Sequence, residues 1–277
     1  MKTWRGFNPF RWCGVISVLF WILSFGISEG ANRIGSPDGV FYHRFASSVY
    51  GPEAVWVNPA GLGLYKDFTV QYVGEYCDGT FMENWGLVTS EGGGAIGYRT
   101  RDDFLGDKLQ EYIFAAGVGI GEGTFLGGSY RYLKEGPGIY NRRHFWNIGV
   151  IFRQNPKFSV AALFSNLNRG KVNGERTDIE QLYSLTYHQL NHRLLLSMEI
   201  TLSTGQSLSG ASYNYGVDIR PHPRIGVYFN RDNHDNFQFG VKIYLRRCFT
   251  GGQTRFGSAG DHLGSSLFGG FVYPRKK

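Results

Sequence analysis

Beyond residue 30 the sequence has no apolar run approaching the roughly 18 residues of a membrane-spanning helix, so a helical membrane protein is excluded. Cysteine is scarce, with three in 277 residues, and Cys13 lies in the N-terminal leader. Cys13 also precedes the leader's apolar run, which excludes the acylated cysteine of a lipoprotein signal. The remaining Cys77 and Cys248 can pair in an oxidising compartment, but two cysteines do not make a disulfide framework. No Cys-x-x-Cys or Cys/His spacing points to zinc, and nothing points to a cofactor. Charge is sparse as well, at 18% of residues against about 25% in soluble domains. The net charge of +7 is spread through loops, with no basic run except Pro274-Arg275-Lys276-Lys277, so nucleic acid is not an expected partner.

Glycine and aromatics are abundant instead: 40 glycines and 16% Phe, Trp and Tyr. Such a composition suits strands with one face toward lipid and the other toward a confined interior. The first 30 residues read as a signal peptide. Lys2, Arg5 and Arg11 give a positive start, Cys13 to Phe25 is apolar and uncharged, and Ser28 and Gly30 are small residues before a cleavage point at Ala31. Cleavage after Ser28 fits almost as well. Without residues 1–30 the chain keeps 26 basic and 21 acidic residues, a net charge of +5.

Most of the remaining chain alternates with period two. Phe237, Phe239, Val241, Ile243 and Leu245 share one face, opposite Gln238, Gly240, Lys242, Tyr244 and Arg246. Tyr213, Tyr215, Val217 and Ile219 oppose Asn214, Gly216, Asp218 and Arg220; Trp146, Ile148, Val150 and Phe152 oppose Asn147, Gly149 and Arg153. A soluble sandwich also alternates, but its outward faces carry Lys, Glu and Thr and its strands are shorter. Here the less apolar faces hold Gly, Ser, Asn, Tyr and single charges. Runs of about ten residues match a tilted transmembrane strand.

The expected strands lie near 68–75, 80–89, 94–100, 109–120, 124–133, 142–153, 158–166, 179–189, 194–203, 210–220, 224–230 and 236–246. A weak candidate at Cys248 to Phe256 and a better one at Leu263 to Tyr273 raise the number from twelve to fourteen. Connections alternate between brief (Gly121 to Gly123, Gln154 to Lys157, Leu190 to Arg193, Pro221 to Pro223) and long (Arg101 to Lys108, Lys134 to Asn141, Leu167 to Asp178). That is the habit of an outer-membrane barrel, with the short side periplasmic. The first hairpin, through Cys77-Asp78-Gly79, departs from it. The expectation is an all-β chain: an antiparallel transmembrane β-barrel of 12–14 strands over 68–277, a short N-terminal plug at 31–67 and a signal peptide at 1–30.

The stretch Ser-Val-Tyr-Gly-Pro-Glu-Ala-Val-Trp-Val-Asn-Pro-Ala-Gly-Leu-Gly, from Ser48 to Gly63, stands between leader and strands. It resembles the N-terminal signature of the FadL-like outer-membrane proteins and their PorV-type relatives, with Asn58, Pro59, Ala60 and Gly61 as the matching core. The resemblance covers residues 44–65 closely and is architectural beyond. It implies fourteen strands, an N-terminal hatch, and passage of small hydrophobic compounds that leave sideways through the wall. The PorV-type relatives imply instead a non-transporting barrel serving secretion or surface-assembly proteins. This chain is much shorter than typical members, so the hatch and outer loops must be reduced. Phe41, Tyr42, Phe45, Tyr50, Val55 and Trp56 suit contact with an apolar ligand or simple packing of the plug.

Chemistry has few candidates. An outer-membrane lipid hydrolase needs His and Ser side by side, yet neither His188 nor His234 has a serine two residues on, and no Gly-x-Ser-x-Gly occurs. His234 with Asp232 and Asp235 reads as a solvated loop tip. Gly92-Gly93-Gly94 and Gly117 to Gly121 lack the strand-to-helix context of a phosphate loop. They read as bends and tight turns, or as room for a plug backbone at the wall. Arg153, Glu199, Asp218, Arg220, Lys242 and Arg246 are the expected lumen-facing charges, either paired or selecting a ligand. A passive channel or transporter for small hydrophobic compounds in the outer membrane of a Gram-negative-type bacterium is the leading expectation, with outer-membrane lipid as its surroundings.

Overall fold

In the computed structural model, residues 45–77, 80–102, 108–135, 140–172 and 175–274 are described. The expected leader, the first part of the plug with Phe41 and Tyr42, and the 78–79 turn of the first hairpin lie outside them. The alternating runs become long strands: β1 (Phe68–Cys77), β2 (Thr80–Glu91), β3 (Gly94–Asp102), β4 (Lys108–Gly121), β5 (Thr124–Glu135), β6 (Arg143–Asn155) and β7 (Phe158–Ser165). Two short strands, β8 (Lys171–Val172) and β9 (Glu175–Arg176), form a hairpin of their own within a connection. The wall resumes with β10 (Glu180–Gln189), β11 (Leu194–Ser203), β12 (Ser212–His222), β13 (Ile225–Asp232), β14 (Phe237–Leu245), β15 (Cys248–Phe256) and β16 (His262–Tyr273).

Fourteen of these strands close into one antiparallel barrel, each paired with its neighbours in sequence, skipping the small hairpin, and β1 paired with β16. The larger of the two expected strand numbers is therefore the right one. Cys248–Phe256 looked weak because its outward positions include Thr250, Gly252 and Thr254. In the barrel it needs little apolar bulk of its own, since β14 and β16 flank it in register. Closure pairs every strand edge, which is what a sheet in lipid requires.

The apolar face of each alternating run points outward. Ile96, Phe114, Ile148, Leu196, Phe229, Phe239, Ile243 and Leu267 are all exposed, whereas Arg99, Glu111, Asn147, Ser184, Asn230 and Ser266 on the opposite faces are buried inside. Toward the long-loop end an outward ladder of rings crosses β1 to β5: Tyr72 on Trp85, Trp85 on Tyr98, Tyr98 on Tyr112 and Tyr112 on Tyr132, with centroids 5.0–6.3 Å apart. Aromatic girdles of this kind mark the membrane–water boundary of transmembrane barrels. An apolar outer wall with a buried polar interior is the inverse of a soluble barrel.

One end has only brief turns, at 92–93, 122–123, 156–157, 190–193, 223–224 and 246–247. The other carries the longer connections, including 166–179 and 204–211. The start of β1 and the end of β16 meet at the short-turn end, where Phe68 pairs with Tyr273. Cys248 lies opposite Phe271, which faces Val70 across the next ladder, while Cys77 ends β1 at the far side of the wall. A bond between the two cysteines is therefore ruled out by register, and Cys248 is a free thiol.

The described part of the N-terminal segment packs against the inner wall in the short-turn half. It forms a one-turn helix, α1 (Ala54–Val57), then a 3-10 helix over Pro59–Leu64. Asn58 starts the second helix by accepting a hydrogen bond from Ala60 N on its side chain, and Pro59 occupies the first position, where its missing N–H costs nothing. Ala46, Val49, Ala54, Val55, Ala60 and Leu62 of this segment join Val73, Val88, Ile113 and Ile151 of the wall in the main core cluster. At the opposite mouth Val172 of β8 folds inward onto Leu109, Leu133, Tyr140 and Phe145.

Candidate functional site

The inner segment and the wall beneath it are closely shaped to each other. Gly117, Gly127 and Gly149 stand in one row across β4, β5 and β6, paired Gly117 with Gly127 and Gly127 with Gly149. Each faces the segment so closely that a Cβ would collide. At 117 it would meet Pro59 O at 2.5 Å and Gly63 N at 2.8 Å; at 127 it would strike Pro59 and Ala60; at 149 it would strike the Asn58 side chain. On β3, a Cβ at Gly97 would sit 2.7 Å from the Trp56 ring. Glycine in these strands is room for backbone to approach backbone. Of the two readings open for the glycine strings, close approach holds at Gly117, while Gly92 and Gly93 form a turn with positive φ.

Asn58 is the hub of this contact and is fully buried. Its Nδ2 donates to Ala46 O at 3.3 Å and to Val150 O at 3.4 Å, while its Oδ1 accepts from Ala60 N at 3.1 Å. Pro59 and Ala60 press on the glycine row, and Gly61 is required by Val49 O, which would lie 2.6 Å from a Cβ there. All four expected motif residues thus meet at one seat.

Around the rest of the barrel the segment is held by polar side chains of the wall. Ala46 N donates to Glu199 Oε2 at 3.0 Å. Ser47 Oγ lies 2.7 Å from both Ser184 Oγ and Thr186 Oγ1, and Ser159 Oγ donates to Ser47 O at 2.7 Å. Arg220 donates to Tyr50 Oη at 2.9 Å. Lys242 forms an ion pair with Glu53 at 3.0 Å, and Gln71 Nε2 donates to the same carboxylate at 3.3 Å. The Lys242 ammonium also lies 4.4 Å from the Phe249 ring centroid.

Of the expected lumen charges, Glu199, Arg220 and Lys242 therefore contact the segment. Arg153 and Asp218 also face inward, and Asp218 borders a small void of about 10 Å³ beside Phe45 and Ser48. Arg246 does not face the lumen. Strand β14 ends at Leu245, and Arg246 lies in the 246–247 turn with φ 44°, exposed to solvent. The alternation ran one residue past the real end of the strand.

Two groupings escaped the sequence. Glu111 lies between Arg99 (2.6 Å) and Arg131 (2.5 Å) in the wall, and Arg99 also covers the Trp56 ring at 4.6 Å. Arg99 is directly opposite Glu111, whereas Arg131 reaches it diagonally from β5. Only the hairpin register brings them together. The second grouping is Ser159 and His188, with Ser159 Oγ 3.0 Å from His188 Nε2. This is a serine–histidine pair of the kind absent from the linear motifs.

Its hydrogen bonds run the wrong way for nucleophilic catalysis. Ser159 gives its proton to the Ser47 carbonyl, which only accepts. His188 Nε2 must then donate to Ser159, so it carries the proton and is no base toward the serine. The other ring nitrogen, His188 Nδ1, accepts from His192 Nδ1 at 3.0 Å. Ser159 has no exposed surface. The pair ties the segment to the wall. His234, the other histidine weighed, sits on an exposed loop where its N–H donates to Asp232 Oδ1 at 2.9 Å. No group of three His, Cys, Asp or Glu side chains placed to hold a metal occurs among the described residues.

No protein-family model matches the sequence, and no curated protein does either. In three dimensions the chain is similar to the outer membrane protein Omp33 of Acinetobacter baumannii, with 12% identity and a TM-score of 0.51 over 76% of this chain and 100% of that one. It is also similar to the toluene transporter TbuX of Ralstonia pickettii, with 12% identity and a TM-score of 0.55 over 82% of this chain and 94% of that one. At such identities the likeness concerns the fold. Together with the closed fourteen-stranded wall and its apolar exterior, it makes this chain an outer-membrane β-barrel.

Proposed function

We propose that the protein is a passive outer-membrane conduit for small hydrophobic compounds, of the FadL-like kind, and that the segment carrying Asn58-Pro59-Ala60-Gly61 is its hatch. The observation that carries this reading is the seat. Three wall strands give up side chains at Gly117, Gly127 and Gly149 to receive a segment that the rest of the wall holds by polar contacts. The segment shares the apolar core of the wall, but an ion pair and hydrogen bonds to Ser159, Ser184, Glu199, Arg220 and Lys242 add polar ties beyond what core packing alone needs. The fold shared with a toluene transporter supports a transport role in general.

A locking experiment tests it. Ser47 and Ser184 have their Oγ atoms 2.7 Å apart, so the double variant S47C/S184C places two thiols across hatch and wall. Cells carrying the native barrel should accumulate a small aromatic hydrocarbon faster than cells without it. Oxidation should abolish that gain in the double variant, and a reductant should restore it. Transport that ignores the lock would remove the hatch from the mechanism.

The PorV-type reading, a barrel that transports nothing and serves secretion or surface-assembly proteins, is favoured by one observation. The wall closes around all fourteen strands, each paired with both neighbours, with register shifts such as that between Gly74 and Tyr76 of β1 but no unpaired strand edge among the described residues. Absence of any uptake by the native barrel, with recovery of a bound periplasmic or surface protein, would select it.

A further inference from the structure

The brief turns share a repeated construction. In each of the six, the last turn residue offers its carbonyl to the N–H of a residue on the next strand but one. The acceptors are Gly93, Gly123, Lys157, Arg193, Arg224 and Arg247, and the donors are Gly117, Arg153, His188, Arg220, Tyr244 and Val272, at 2.5–2.8 Å. The position is glycine in the turns after β2 and β4. It is basic in the turns after β6, β10, β12 and β14, which are neighbours around the barrel. Lys157, Arg193, Arg224 and Arg247 are all exposed, and none of those four turns contains an acidic residue. The arc thus covers eight consecutive strands, with each backbone fixed and each cationic side chain able to reach outward. The acidic turn residue of this rim, Glu122, lies outside it.

Two further observations say what the arc faces. A lipid-facing groove of about 410 Å³ runs up the wall on the strands that leave the turns of Arg193 and Arg224, lined by Leu196, Met198, Tyr215, Val217 and Phe229 and reaching Arg231 toward the long-loop end. Its floor is thin because the pair beneath it is Ser197 with Gly216. At the arc's far end the Arg247 guanidinium sits 5.5 Å from the ring of Tyr273, an exposed aromatic at the membrane boundary. We infer that the arc formed by Lys157, Arg193, Arg224 and Arg247 binds anionic phospholipid in the leaflet adjoining the short turns, phosphates on the basic residues and an acyl chain in the groove. Basic residues beside a membrane attract anionic headgroups in this manner. A soluble acidic protein would use the charges but has no use for an apolar groove that opens only to lipid.

The test is native mass spectrometry of the leader-free barrel released from mild detergent with equal amounts of phosphatidylglycerol and phosphatidylcholine of identical chains. The native barrel should retain the anionic lipid in about tenfold excess. The variant K157Q/R193Q/R224Q/R247Q should fall to about parity while still shifting on unboiled gels. A control that removes four charges at the other end and away from the groove, K108Q/K134Q/K171Q/R176Q, should keep the excess. Parity in the native barrel, or an equal loss in both variants, overturns the inference. So does a native barrel at parity that binds an acidic polypeptide such as polyglutamate through the same four residues.

Discussion

Asn58 of the inner segment rests directly against Gly149 of β6, so that a single methyl group at position 149 would overlap its side-chain oxygen. The same asparagine bridges Ala46 O and Val150 O. One wall glycine and one buried amide therefore fix how deeply the segment sits in the barrel.

Gly149→Val should unseat the segment without opening the wall, because position 149 faces inward and its strand ladder is unaffected. Permeability of reconstituted vesicles to small solutes should rise several-fold, while the unboiled band keeps its faster migration. Permeability equal to that of the native barrel would show that the glycine row is not a seat.

Val241 and Lys242 are adjacent on β14 but should fail differently. Val241→Arg puts a charge on the lipid face near mid-strand, at a cost of about 2–4 kcal/mol, and should depress folded yield. Lys242→Glu should leave the barrel folded but set two carboxylates against each other at Glu53, loosening the segment. The double variant E53K/K242E should restore the seal. Urea titration of both variants followed by vesicle leakage separates the two effects, and equal loss of folding would show that the faces are wrongly assigned.

Ser159 should be chemically silent. With its proton held by the Ser47 carbonyl and His188 Nε2 protonated, a fluorophosphonate probe should not label the native barrel. Labelling at Ser159 would mean that the hydrogen bond to His188 runs the other way, and would reopen the hydrolase.

Cys77 and Cys248 should both titrate as thiols in the denatured, unreduced protein, and migration should not change with reductant. A disulfide between them would require a different register for β1, β15 and β16.

Much of the wall was legible in the sequence because lipid outside and a confined lumen inside impose a strict period of two. Phe237 to Leu245 shows it plainly. Cys248 to Phe256 does not, since its outward Thr250, Gly252 and Thr254 carry little apolar signal. The end of β14 was placed one residue late for a related reason: Arg246 continues the polar alternation on paper, but its backbone has already turned. Asn58 to Gly61 stood out through turn chemistry and resemblance. Gly127 and Gly149, their counterparts on the wall, looked like ordinary strand glycines until the register set them in line with Gly117. Ser159 with His188, and Glu111 with its two arginines, are joined only across strands, where linear spacing carries no information.

Whether the inner segment closes the lumen is tested most directly by the conductance of planar bilayers holding the leader-free barrel, set beside a form lacking residues 31–62. The native barrel should be almost silent, and the shortened one should open steady conductance while keeping its heat-modifiable migration. Equal conductance in the two, with both barrels folded, would contradict closure of the lumen by this segment.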